Sequence, residues 1–82
     1  MADRPLKLRE LRRLLKPFDV WEDQSRGKGS HTMFFRMIDV REFSYPIPTN
    51  KPDVPRESVK GIRDRFRLRP QDGIPDRQFY GC

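Results

Sequence analysis

Two stretches of helical periodicity flank one strongly strand-like run, and these three segments supply most of what the chain can bury. Leu8, Leu11 and Leu15 recur at i, i+3 and i+7, with Leu14 and Phe18 widening the stripe. Val59, Ile62 and Phe66 repeat the same spacing towards the other end. Such spacing places apolar side chains along one face of a helix. Between them, His31-Thr32-Met33-Phe34-Phe35-Arg36-Met37-Ile38 has the composition of a strand. Neither helix can bury its stripe alone. Packing both on one face of a small sheet solves the problem.

The expected first helix covers about 5–16, with Asp3 as a cap, Pro5 in the first turn and Pro17 as its stop. Arg9, Arg12, Arg13 and Lys16 fall on its outer face. Strands are expected over 18–24, 31–38 and 40–45, and Asp39 marks a tight connection that makes the last two an antiparallel hairpin. Pro46, Pro48, Pro52 and Pro55 read as an extended linker. The expected second helix covers about 55–69, with Asp53 as a cap, Gly61 allowing close packing on the sheet, and Pro70 as its end. The tail 71–82 is polar apart from Ile74, Phe79 and Tyr80, which can dock on the core. The order α-β-β-β-α implies an α+β fold: a three-stranded antiparallel sheet with two helices on one face and the other face open.

With 82 residues, the chain is expected to be a single domain over 1–82. A core of that size leaves no deep chamber, so a site lies on an open face or in a shallow groove, which suits a polymeric substrate. Lys and Arg number 18 against 12 Asp and Glu, a net charge of +6, and the pI is about 10.1. That balance points to nucleic acid or to an acidic protein. The lone cysteine, Cys82, excludes an internal disulfide framework, and one Cys with one His makes no zinc site. No cofactor is implied. Glu22 and Asp23 are adjacent and would point to opposite faces of a strand, so they do not form a metal pair. The start of the chain lacks a signal-peptide apolar region and no run suffices to span a bilayer. The expectation is a soluble cytoplasmic protein with no membrane partner.

The chemistry-bearing motif is Gly27-Lys28-Gly29-Ser30-His31, which leads directly into the strand-like run. Glycines let the backbone approach a ligand closely, and the lysine attracts an anion. The motif ends on the chain's single histidine, the residue type whose ordinary pKa lies near neutrality. A phosphate held there sits beside a general base. Arg26, Lys28, Lys51, Lys60 and Arg63 are the cations expected to contact phosphate, together with Gly29 and Ser30. Strict alternation groups His31 with Met33, Phe35 and Met37, the fully apolar set. His31 therefore reads either as a strand-end residue leaning towards the core or, with a bulge after Gly29, as one that reaches solvent.

With that motif at the start of the second strand, the leucine-rich first helix, the Pro-containing segment after the third strand and the basic second helix, the chain resembles the HicA toxin family of type II toxin–antitoxin systems. The closing Asp72-Gly73-Ile74-Pro75-Asp76-Arg77-Gln78-Phe79-Tyr80-Gly81 is similar to the tail of some members. The resemblance implies a double-stranded-RNA-binding-like fold, an mRNA interferase activity and a HicB-like antitoxin partner. The family's catalytic histidine falls on His31. Many members carry another histidine shortly after the third strand, where this chain reads Tyr45-Pro46-Ile47-Pro48-Thr49-Asn50. The function so implied is metal-independent endoribonuclease cleavage of mRNA. The alternatives are a non-catalytic RNA-binding module of the same fold and a basic protein-interaction domain.

Overall fold

A computed structural model describes residues 3–26 and 29–81, without the side chain of Arg26. In chain order the elements are β1 (Leu6–Lys7), α1 (Leu8–Leu15), β2 (Trp21–Asp23), β3 (His31–Ile38), β4 (Arg41–Pro48), β5 (Asp53–Val54), α2 (Arg56–Arg65) and α3 (Asp76–Tyr80). The structure is α+β, with β2, β3 and β4 forming a three-stranded antiparallel sheet.

The leucine stripe forms α1 as expected, burying Leu8, Leu11, Leu14 and Leu15. The helix starts later than Pro5, because Leu6 and Lys7 pair with Val54 and Asp53 in a separate two-stranded ladder. The Leu8 amide donates to the Pro52 carbonyl at 2.7 Å, and Lys7 Nζ to Asp53 Oδ1 at 2.7 Å. Asp53 therefore does not cap α2; Pro55 takes that position without a side-chain cap. Pro17 does not turn Lys16 out of helical geometry. Lys16–Phe18 adds a 3₁₀ turn, closed by Asp19 in the left-handed region. Proline is tolerated there because the first amides of a helical turn have no intrahelical acceptor to lose.

β3 has the expected bounds. It joins β4 through Asp39-Val40, with Asp39 at φ 59°, a conformation aspartate adopts more readily than most residues. β4 runs on to Pro48 instead of ending near 45. It is an edge strand, where a proline's missing donor need not break the sheet.

Phe34 and Ile47 of the sheet form one cluster with the leucines of α1, Val59 and Ile62 of α2, and Phe66, Leu68, Phe79 and Tyr80. The helix-facing set of β3 is thus Thr32, Phe34, Arg36 and Ile38, the reverse of what alternation of hydropathy suggests. Arg36 is tolerated there because its Nε donates to the Phe18 carbonyl at 3.2 Å and its Nη1 to the Phe66 carbonyl. On the other face, Phe35 stacks with Trp21, ring centroids 5.6 Å apart. Gly61 does allow close packing: a Cβ there would lie 1.8 Å from Tyr45 Oη of β4.

α2 ends at Arg65, well short of Pro70. The Leu68 amide donates to the Arg63 carbonyl at 2.8 Å and the Arg67 amide to Asp64 at 3.3 Å, with Arg67 at φ 57°. This is a Schellman ending, whose left-handed position is usually glycine. The tail folds back as α3, a third helix in addition to the two expected, and buries Phe79 and Tyr80.

Asp3 is not a helix cap but the centre of a buried network. Its carboxylate meets Arg63 at 2.9 Å, Arg69 at 2.7 Å and the Tyr80 hydroxyl at 2.7 Å. Arg63 also pairs with Asp76 at 3.0 Å and donates to the Leu68 carbonyl, and its guanidinium lies over the Phe79 ring. Burial opposes the charge on Asp3, but the hydrogen bonds from Tyr80, Arg69 and Arg63 outweigh it and hold its pKa at about 2. The same burial, reinforced by the hydrogen bond to Asp3, raises the pKa of Tyr80. Among the described residues no helix is long and apolar enough to cross a membrane.

Candidate functional site

His31 opens β3 and is exposed, on the sheet face opposite the helix-packed core. The core-leaning alternative is therefore corrected. The apolar parity set it belongs to is the set that faces away from the helices. Gly29 turns the chain into the strand with φ 58°, and a Cβ there would meet nothing within 4 Å, so glycine serves the backbone angle and not the space.

A cleft of about 310 Å³ lies beside the histidine, lined by Gln24, Gly29, Ser30, His31, Thr32, Thr49 and Asn50. Its far wall is the chain just after β4. The Thr49 amide donates to the Ser30 carbonyl at 2.8 Å, and the hydroxyls of Thr49 and buried Thr32 are 2.8 Å apart. These bonds tie the end of β4 to the start of β3. Ser30 Oγ lies 3.4 Å from His31 Nδ1. Among the described residues nothing is bonded to Nε2. The opposite lip is anchored at Asp23, whose Oδ1 accepts from the Ser25 amide at 3.0 Å and its hydroxyl at 2.6 Å.

Of the expected site residues, the structure brings Gly29, Ser30 and His31 together. Lys51 is exposed and follows Asn50 of the cleft wall. Lys60 lies on the exposed side of α2, 3.5 Å from Asp64, and does not line the cleft. Arg63 is a correction. It is fully buried and committed to Asp3, Asp76 and the Leu68 carbonyl, so it is not available to a phosphate. Lys28, Gly27 and the side chain of Arg26 lie outside the described residues, as does Cys82.

Sequence reasoning missed Gln24, Thr32, Thr49 and Asn50. The signal for the last two was the polar pair following Pro48, hidden by ending the strand at Tyr45. Glu22 does not face Asp23. It takes a two-pronged bond from Arg12, with both contacts at 2.9 Å, and so ties β2 to α1.

The cleft offers one exposed imidazole, three hydroxyls, two amide side chains and a glycine turn. This set can abstract a proton and hydrogen-bond an oxyanion. Comparison of the chain with family models, curated proteins and solved structures found no match.

Proposed function

We propose that this chain is a metal-independent endoribonuclease of the HicA type, a toxin that cleaves mRNA and is held in check by a HicB-like antitoxin. Its sheet and helices would then be a variant of the double-stranded-RNA-binding-like fold. The observation that carries the reading is His31: exposed, at the mouth of a polar cleft, with Nδ1 beside Ser30 Oγ and Nε2 without a hydrogen bond among the described residues.

With the Nδ1 proton directed at Ser30, Nε2 holds the lone pair a general base needs. It takes the proton of a ribose 2′-OH, and the 2′-oxygen attacks the adjacent phosphorus as the bond to the 5′-oxygen breaks. The leaving oxygen takes a proton from the imidazolium or from solvent. The products are a 2′,3′-cyclic phosphate and a 5′-hydroxyl. Base catalysis of this kind contributes about 10²–10⁴-fold. Gly29, Ser30 and Thr49 line the cleft, and in this reading the turn's amides and the two hydroxyls bind phosphoryl oxygens. DNA lacks the 2′-OH and is spared.

One observation favours a second reading, a non-catalytic RNA-binding module. Thr49 and Asn50 occupy the cleft wall near where many HicA proteins carry another histidine, so among the described residues His31 is the sole titratable residue lining the cleft. Expression from a tightly repressed promoter in bacteria separates the two, wild type beside His31→Ala. Growth arrest and new mRNA ends with wild type alone support the ribonuclease. Arrest by both, without new ends, supports the binding module.

A further inference from the structure

Five carboxylates among the described residues are held by nearby cations. Asp3 and Asp76 meet Arg63, Asp64 meets Arg69 and Lys60, Glu22 meets Arg12, and Asp53 meets Lys7. The surplus positive charge therefore sits elsewhere, and part of it gathers around Phe43. The guanidinium carbons of Arg65 and Arg67 lie 5.0 and 5.4 Å from the centroid of that half-buried ring. Both arginines are exposed, and Arg65 Nε donates to the Ser44 carbonyl at 3.2 Å. Arg41, also exposed, is two residues before Phe43 on the same strand and so shares its face. Among the described residues none of the three meets a carboxylate.

Arg67 is the more telling of the pair. It occupies the left-handed position of the Schellman ending, where glycine costs least. Packing does not require an arginine there, since Arg67 is exposed while Phe66 and Leu68 on either side of it are buried. What the arginine adds is a second guanidinium on the Phe43 ring.

We propose that Arg65, Phe43 and Arg67, flanked by Arg41, form a contact for the RNA backbone separate from the His31 cleft, with the stacked guanidinium groups binding phosphate and offering a planar surface to a base. The proposal rests on the RNA reading of the chain but not on catalysis. In the register of the hairpin, His31 opposes Pro48 and Arg36 opposes Phe43. The patch thus lies five residues along β3 from the cleft, about 17 Å at the rise of a strand, and the odd separation puts it on the opposite, helix-packed face of the sheet. RNA gripped at the patch reaches the cleft only by passing round the edge strand β4, so the patch anchors the strand without occupying the cleft. An acidic peptide is the rival ligand. RNA is favoured because planar guanidinium groups held on a ring suit a base as well as an anion, whereas a carboxylate uses only the charge.

The test measures binding of a fluorescein-labelled, unstructured 20-nucleotide RNA by fluorescence anisotropy over a series of salt concentrations, in a His31→Ala background so that the RNA stays intact. Arg67→Gly suits the backbone of the motif, so weaker binding cannot be blamed on lost structure, and melting curves check this. Arg65→Gln with Arg67→Gly is expected to weaken binding about tenfold at low salt and to reduce the salt slope by about 1.4, two phosphate contacts at 0.7 each. Phe43→Leu is expected to weaken binding as well. An unchanged affinity and slope in the double variant overturns the proposal. So does equal binding of a poly-glutamate peptide through the same two arginines, which makes the patch a protein site. If wild type binds RNA through these arginines but does not cleave it, the proposal stands and the catalytic reading falls. Cleavage without any dependence on them has the opposite meaning.

Discussion

Replacing Asp3 by Asn removes one negative charge from the centre of the buried network while keeping its shape. Two routes give the magnitude. The carboxyl is held at about 2 against an ordinary 3.8, a difference worth about 2.5 kcal/mol. Removing one partner of a buried ion pair typically costs about 3–5 kcal/mol; here Asp76 remains for Arg63 and Asp64 for Arg69, which argues for the low end. A loss of about 2.5 kcal/mol is large against the roughly 4–12 kcal/mol available to a domain of this length, and corresponds to a drop in Tm of about 10–20 °C. The pH dependence follows in sign. The folded pKa is depressed, so the stabilisation is complete above the unfolded value near 3.8 and is lost as pH falls towards 2. Urea unfolding followed by circular dichroism at pH 7, 4 and 2.5 measures both effects. Wild type should lose this contribution between about pH 4 and 2, and Asp3→Asn should start lower and fall less steeply. A variant within 0.5 kcal/mol of wild type at pH 7 (the scale of an ordinary surface substitution), or one with the same acid dependence, refutes the reasoning.

Gly61→Ala sets a gain of about 1 kcal/mol in helix propensity against overpacking by Tyr45 of about 1–3 kcal/mol. The net expectation is destabilisation by up to about 2 kcal/mol, reversed to stabilisation in a Tyr45→Ala background, as a double-mutant cycle by chemical unfolding reads out. Thr49→Val leaves the buried Thr32 hydroxyl without its partner and should cost about 1–3 kcal/mol. Because the same residue lines the cleft, RNA cleavage should fall further than unfolding alone explains, which assays well below the melting transition can show. Arg12→Ala breaks a partly exposed pair with Glu22 and should shift stability by only about 1 kcal/mol or less; a larger effect in thermal melts would mean the pair sets the angle between α1 and β2.

The periodic segments were legible because burial writes itself into spacing. Leu8–Leu15 and Val59–Phe66 needed a common apolar partner, and the sheet supplies it through Phe34 and Ile47. The face of β3 was misread because Arg36 looks polar in sequence, whereas in the fold two carbonyls satisfy it, and Phe35 is covered on the other side with help from Trp21. The β1–β5 ladder was invisible: two residues carry no period, and the pairing joins segments far apart in the chain. The Asp3 network was hidden for a related reason. No local signal distinguishes an aspartate that caps a helix from one that meets Arg63 across sixty residues. The same network explains why one of four closely spaced arginines, Arg63, is buried while Arg65 and Arg67 are exposed. At the site, the glycine turn and His31 were readable as a motif. The cleft wall from Thr49 and Asn50 depended on how far β4 ran past its prolines.

The measurement that bears most directly on the proposed activity is the chemistry of RNA ends made by purified protein in the presence of EDTA. The account predicts 2′,3′-cyclic phosphate and 5′-hydroxyl ends from wild type, none from His31→Ala, and RNA affinity within a few-fold between the two. Cleavage by His31→Ala at the wild-type rate, or 3′-hydroxyl and 5′-phosphate ends that appear only with added metal, would contradict it.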